Sequence, residues 1–73
     1  MRIGTFINEY IITDIYENSK IGFARGYKEW KDGSVEYATW AYNPETVCGY
    51  CCGHYMMTEK DSFDDFLKRI REG

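Results

Sequence analysis

Residues 21–42 have the sequence IGFARGYKEWKDGSVEYATWAY. From Ile21 to Trp30, the side chains alternate with the period of two that is typical of a half-buried β-strand. Lys31-Asp32-Gly33 is typical of a three-residue hairpin loop, because glycine accepts the left-handed backbone conformation that such a loop requires. A second strand is predicted from Val35 to Tyr42. The stretch therefore predicts a β-hairpin.

The charged and aromatic residues of this hairpin favour one register of strand pairing. With a three-residue loop, Lys28 lies opposite Glu36 and Tyr27 lies opposite Tyr37. Such pairs each stabilise a sheet by about 0.2 to 1 kcal/mol, whereas a shift of one residue would set Glu29 against Glu36. We therefore expect the first register.

One further strand is predicted on each side of the hairpin. Residues 10–16 are rich in β-branched and aromatic side chains and end at a polar turn cluster. Residues 3–7 either extend this strand or form a separate one. Beyond the hairpin, Asn43 and Pro44 are typical of a type I turn. A fourth strand is predicted from Val47 to about Met57.

The C-terminal segment changes to the period of a helix. Its apolar residues recur at the spacing of one helical stripe, namely Phe63, Phe66, Leu67 and Ile70. Thr58 or Ser62 offers a hydroxyl N-cap. Acidic residues precede basic ones along the segment, an order that the helix dipole favours. We expect the apolar stripe to pack on the sheet.

These elements predict a single small α+β domain over residues 1–73. Its architecture is a four-stranded antiparallel β-meander packed against one C-terminal α-helix. The helix covers one face of the sheet, and the other face stays open to water. Seven tyrosines and two tryptophans exceed what so thin a core can hide. We therefore expect the surplus rings to form a contact surface on the open face.

The residues predicted to contact a partner are four aromatic residues and one arginine: Trp30, Trp40, Tyr42, Tyr50 and Arg25. Tryptophan, tyrosine and arginine are enriched among the residues that dominate binding energy at protein interfaces. Trp40 is expected to protrude, because Ala24 and Ala38 beside it are small. Gly49 on the next strand is smaller still. Arg25 is expected to stack on Trp40.

Length and charge narrow the classes of function. A net charge of -3 argues against general attraction to nucleic acid, so single-stranded RNA binding on an aromatic sheet ranks third. The N-terminus lacks the apolar stretch of a signal peptide, and no segment approaches the roughly 18 apolar residues of a membrane span. A cytoplasmic protein without membrane contact is expected. Chains below about 70 to 80 residues often need a staple or partner, so a homo-oligomer stays an open alternative.

A cluster of thiols with one histidine supplies the alternative function. Its members are Cys48, Cys51, Cys52 and His54. Cys48 and Cys51 have the C-x-x-C spacing of zinc ligands, so a small metal-binding or thiol-redox protein is the alternative. In a strand, however, Cys48 and Cys52 lie roughly 13 Å apart while Cys51 points to the opposite face. Reduced thiols, no metal and no cofactor are therefore expected.

The sequence indicates no catalytic set, since no nucleophile is accompanied by a base and an orienting group. In size, acidity, aromatic richness and lack of a catalytic set, the chain resembles small proteins of phages and mobile elements that bind and inhibit a host factor. Anti-CRISPR proteins are one such group. The resemblance is one of overall character, and it implies a non-enzymatic protein-binding module with a protein partner.

Overall fold

The computed structural model describes residues 2–45 and 50–72. Within these residues, the chain forms a five-stranded antiparallel sheet followed by one helix. The elements are β1 (Phe6–Ile7), β2 (Tyr10–Glu17), β3 (Gly22–Glu29), β4 (Val35–Tyr42), β5 (Tyr50–Met57) and α1 (Glu59–Glu72). Each strand pairs with its neighbour in sequence, so the predicted α+β meander is confirmed with one strand more than expected.

The additional strand, β1, joins the start of β2 through a tight turn. Ile7 lies opposite Tyr10. The two residues between them, Asn8 and Glu9, have positive φ angles of 47° and 73°. Two consecutive left-handed residues form a type I′ turn, whose twist matches that of paired strands. Residues 3–7 thus contain a separate strand rather than an extension of β2.

The central hairpin between β3 and β4 has the register that its charges favour. Lys28 lies opposite Glu36. Gly33 has a φ of 90°, and the backbone N–H of Trp30 donates to the carbonyl of Ser34 at 2.8 Å across the loop. The predicted loop and register are confirmed.

The main cluster of buried hydrophobic residues lies on one face of the sheet, which we call the Trp40 face. Ala24 lies opposite Trp40 and Gly26 lies opposite Ala38, and directly opposed residues share a face. The buried cluster on this face comprises Ile7, Tyr10, Ile12, Ala24, Ala38, Trp40 and Tyr42. The helix packs on the other face, so the face that was expected to stay open carries the core.

The helix packs on the sheet through a largely polar stripe rather than the predicted apolar one. Four residues form this stripe: Ser62, Asp65, Phe66 and Arg69. Of the predicted apolar stripe, Phe66 is buried, while Phe63 and Leu67 are 46% and 40% exposed. The small side chain of Ser62 lets α1 lie close to a polar part of the sheet, where Arg25 donates to the Ser62 hydroxyl.

Arg25 joins that part of the sheet to the helix. Its Nε donates to the Ser62 hydroxyl at 2.9 Å, and its Nη1 donates to Asp14 Oδ2 at 2.6 Å. Its Nη2 donates to the carbonyl of Glu59 at 3.2 Å. Each guanidinium nitrogen therefore has an acceptor, as a buried charge requires.

Asp65 is the second polar link between the helix and the sheet. Its Oδ2 accepts hydrogen bonds from Thr39 Oγ1 at 2.6 Å, His54 Nδ1 at 3.0 Å and Arg69 Nε at 3.1 Å. Burial alone would raise the pKa of Asp65, but these hydrogen bonds outweigh burial and hold the pKa below its usual value. The fold therefore stabilises the charged carboxylate.

Acid is expected to weaken this link. Because the pKa of Asp65 is lower in the folded protein, the folded state binds fewer protons than the unfolded state. The stabilisation is present above the usual pKa of an aspartate and is lost as the pH falls through the folded value. The free energy of unfolding in urea should be measured above the usual pKa of an aspartate and below the folded pKa of Asp65. Asp65→Asn should flatten the pH dependence of this free energy, and Asp64→Asn, at the neighbouring exposed position, should leave it as in the wild type. An unchanged slope for Asp65→Asn would contradict this account.

Candidate protein-binding site

Trp40 is a core residue and not a protruding anchor. Its side chain is 0% exposed, and its ring centroid lies 5.4 Å from that of Tyr10 and 5.9 Å from that of Tyr55. The indole Nε1 donates to the Tyr55 hydroxyl at 2.8 Å. The small neighbours Ala24 and Ala38 make room for the ring inside the core instead of exposing it. The expectation that Trp40 protrudes is therefore wrong.

Tyr42 is also buried on the Trp40 face. Its ring lies against Gly22, where an added Cβ would stand 2.3 Å from a ring carbon. Its hydroxyl donates to Glu17 Oε2 at 2.6 Å, and burial together with this hydrogen bond raises the pKa of Tyr42. Glycine makes room for the ring and a carboxylate accepts the hydrogen bond of the hydroxyl, so the Tyr42 side chain, which was expected to face a partner, is buried instead.

Arg25 lies on the helix face and does not stack on Trp40. Its guanidinium carbon is 5.0 Å from the ring centroid of Tyr37 and 5.5 Å from that of Phe63. The predicted stacking is wrong because successive strand residues point to opposite faces, and Ala24 is the residue that lies opposite Trp40. Arg25 is buried between sheet and helix rather than presented to a partner.

The thiol cluster lies mostly beyond the described side chains. Cys48 is outside the described residues, and for Tyr50, Cys51 and Cys52 only the strand is described. The predicted contact role of Tyr50 and the alternative metal or redox role of the cysteines therefore lie outside the described part of the chain. His54 is exposed at its ring. Among the side chains that the structure describes, which do not include those of residues 50–52, no group of three or more His, Cys, Asp or Glu is arranged to hold a metal ion.

Among the predicted contact residues whose side chains are described, Trp30 is the exposed one, at 46%. It lies at the hairpin end of the Trp40 face, beside an open groove of about 940 Å³. We call this the hairpin-end groove, and its lining includes Phe6, Glu9, Lys28, Trp30, Glu36 and Met56. Phe6 is 69% exposed and Met56 is 84% exposed. The groove therefore presents three large apolar side chains to solvent.

Glu36 holds the elements of the groove together. Its carboxylate accepts hydrogen bonds from the Tyr10 hydroxyl on β2, from Trp30 Nε1 at 3.3 Å and from the backbone N–H of Met56 at 3.3 Å. Burial, with the hydrogen bond and charge of Glu36, raises the pKa of Tyr10, so its hydroxyl keeps its proton and continues to donate. One carboxylate thus links three parts of the chain around the groove.

Lys28 packs its ammonium against the Trp30 ring. Its Nζ lies 4.1 Å from the ring centroid and 2.8 Å from Glu9 Oε2. The hydrogen bond and charge of Lys28 lower the pKa of Glu9, which stays ionised near neutral pH. The Lys28 ammonium over the ring and the Glu36 carboxylate, which accepts from Nε1, hold the Trp30 indole in one orientation.

Two residues of the groove have a backbone conformation that side chains rarely adopt. Glu9 has a φ of 73° and Met56 a φ of 59°. Such positions cost about 1 to 3 kcal/mol each and are concentrated at functional sites. At Met56 the conformation accompanies a β-bulge, where Tyr55 and Met56 together stand opposite Ala38. The bulge keeps an apolar side chain directed into solvent.

The sequence pattern predicts part of the hairpin-end groove but does not indicate that Phe6 and Met56 belong to it. The alternation of residues 21–30 places Lys28 and Trp30 on one face, and the predicted register sets Glu36 opposite Lys28. These three residues could have been grouped from the sequence. Phe6 depends on the β1 turn and Met56 on the bulge in β5, and no pattern in the sequence marks either feature.

Comparison with known proteins finds no family model, no curated protein and no solved structure that matches this chain. Within the described ranges, no helix has the length and apolar content needed to cross a membrane. A functional assignment must therefore come from the groove itself.

Proposed function

We propose that the protein is a non-enzymatic protein-binding module that docks a partner at the hairpin-end groove. The observation that carries this proposal is the clustering of exposed Phe6, Trp30 and Met56 at one end of the molecule. Contiguous exposed apolar side chains with a polar rim are typical of protein interaction sites. Aromatic residues and methionine are also enriched in the centres of interfaces.

The rigidity of the groove supports the same function. Trp30 is already held by Lys28 and Glu36, so binding costs little side-chain entropy at the largest ring. Met56 is unbranched and adapts its shape to a partner surface. A fixed aromatic anchor beside an adaptable methionine is a suitable centre for a contact of high affinity.

The overall character of the chain suggests where the partner occurs. Its size, acidity and aromatic richness resemble those of small phage proteins that bind and inhibit a host factor, so we place the partner among bacterial proteins. On this proposal the protein acts by occupying a surface of that factor and carries out no reaction on it.

The test is capture of a partner from a bacterial lysate by immobilised wild type and two variants. Trp30→Ala should lose the captured protein, since loss of an interface anchor costs about 2 kcal/mol or more, roughly thirtyfold in affinity. Leu67→Ala is the matched control, because Leu67 is similarly exposed on the helix, and it should retain the protein. Circular dichroism checks that both variants fold. Equal capture by wild type and Trp30→Ala would contradict the proposal.

A further inference from the structure

The hairpin-end groove already binds one cation, which belongs to the chain itself. Besides its contacts with Trp30 and Glu9, Lys28 Nζ lies 5.9 Å from the ring centroid of Tyr10. Only 20% of the Lys28 side chain is exposed, although lysine normally keeps its ammonium in water. The indole face of Trp30 beside the Glu9 carboxylate therefore binds a cation. Guanidinium groups bind to such sites, as ammonium groups do.

Acidic side chains outnumber basic ones around this groove. Its carboxylates are those of Glu9, Glu29, Asp32 and Glu36, against the ammonium groups of Lys28 and Lys31. The Glu9 side chain is 79% exposed, so a second cation can reach its carboxylate from solvent. The groove is therefore apolar at its centre and negatively charged at its rim.

We propose that the groove takes a basic segment of its protein partner, in which an arginine or lysine accompanies a large apolar side chain. The inference rests on the proposed function and specifies the chemistry of the partner. The apolar side chain packs against Phe6 and Met56, and the cation pairs with the acidic rim. An acidic segment meets like charge at the same positions, so charge complementarity selects between the two.

Three synthetic peptides test the inference: acetyl-Leu-Arg-Phe-Arg-amide and its counterparts with Glu or Gln in place of both Arg. Each is titrated into isotope-labelled protein, with the indole N–H signal of Trp30 as the readout and that of buried Trp40 as the internal reference. The basic peptide should shift the Trp30 signal and bind at least about tenfold more tightly than the acidic one, with an affinity that falls as salt is added.

Two charge-reversal variants separate the groove from the net charge of the chain. Glu29→Lys and Glu72→Lys change the net charge equally, but Glu29 lines the groove and Glu72 ends the helix. Glu29→Lys should weaken binding of the basic peptide by about threefold or more, whereas Glu72→Lys should change it little. Both positions are exposed, so both variants should fold.

Several results would overturn the inference: equal binding of the three peptides, preference for the acidic one, no shift of the Trp30 signal by the basic one, or equal weakening by both lysine variants. None of these results decides the proposed function. That proposal depends on whether Trp30→Ala loses the protein captured from the lysate, a comparison that does not depend on the partner's charge.

Discussion

Trp40→Ala should leave the protein largely unfolded at 37 °C. Trp40 is fully buried, and its ring contacts both Tyr10 and Tyr55. Truncation of a buried tryptophan costs about 3 to 5 kcal/mol, while the whole unfolding free energy of a domain is roughly 5 to 15 kcal/mol and falls at the low end for short chains. The loss also leaves the Tyr55 hydroxyl without its indole donor.

Urea unfolding followed by circular dichroism measures this effect, and Trp30→Ala is the control. Both variants remove one tryptophan, but Trp30 lies just beyond the end of β3 and is exposed, so its loss should cost no more than about 1 kcal/mol. A Trp40→Ala protein that melts within a few degrees of wild type would show that the ring is not part of the core.

The second large effect is expected for Arg25→Ala. The substitution removes two hydrogen bonds between sheet and helix, those to Ser62 and to the Glu59 carbonyl, and leaves Asp14 on β2 without its cation. Breaking a buried ion pair by removal of one partner typically costs about 3 to 5 kcal/mol. Asp14 is partly exposed, which places the expected loss near the lower value.

Arg71→Ala is the matched control for Arg25→Ala. Arg71 is exposed in the last turn of the helix, and its loss should change the unfolding free energy by about 0.5 kcal/mol or less. Equal stabilities for the two variants in urea unfolding would mean that Arg25 does not attach the helix to the sheet.

The central hairpin could be predicted because several local signals agree. Gly33 permits the loop conformation, and the opposite charges of Lys28 and Glu36 favour one register. The helix start was predicted for a similar reason, since the Thr58 hydroxyl accepts the backbone N–H of Asp61 at 3.0 Å. Each of these features is decided within a few residues of chain or by one facing pair.

The assignment of sheet faces could not be predicted, because bulges alter the alternation. A bulge between Ile12 and Asp14 on β2 lets Ile12 and Ile15 lie opposite Gly26 and Ala24, on the same face. Strict alternation would have put the two isoleucines on opposite faces. A single extra residue thus changes which side chains form the core.

The packing of the helix departs from the rule that the most apolar stripe faces the sheet. Ser62 and Phe66 are buried, one position from the predicted stripe at Phe63 and Leu67. Phe66 belongs both to the predicted stripe and to the stripe that packs on the sheet. The predicted helical period is therefore correct, and the predicted rotation of the helix about its axis is wrong. The rotation follows from hydrogen bonds between the sheet and the helix, donated by Arg25 and Thr39, which no pattern along the helix reveals.

The contact role of the hairpin-end groove is tested most directly by photo-crosslinking from position 56. Met56 is 84% exposed, so a benzophenone amino acid should replace it without disturbing the core. Irradiation in a bacterial lysate should crosslink a protein from position 56 and none from position 67, where Leu67 provides an exposed site on the helix. Crosslinking from position 67 alone, or equally from both positions, would contradict a partner-binding role for the groove.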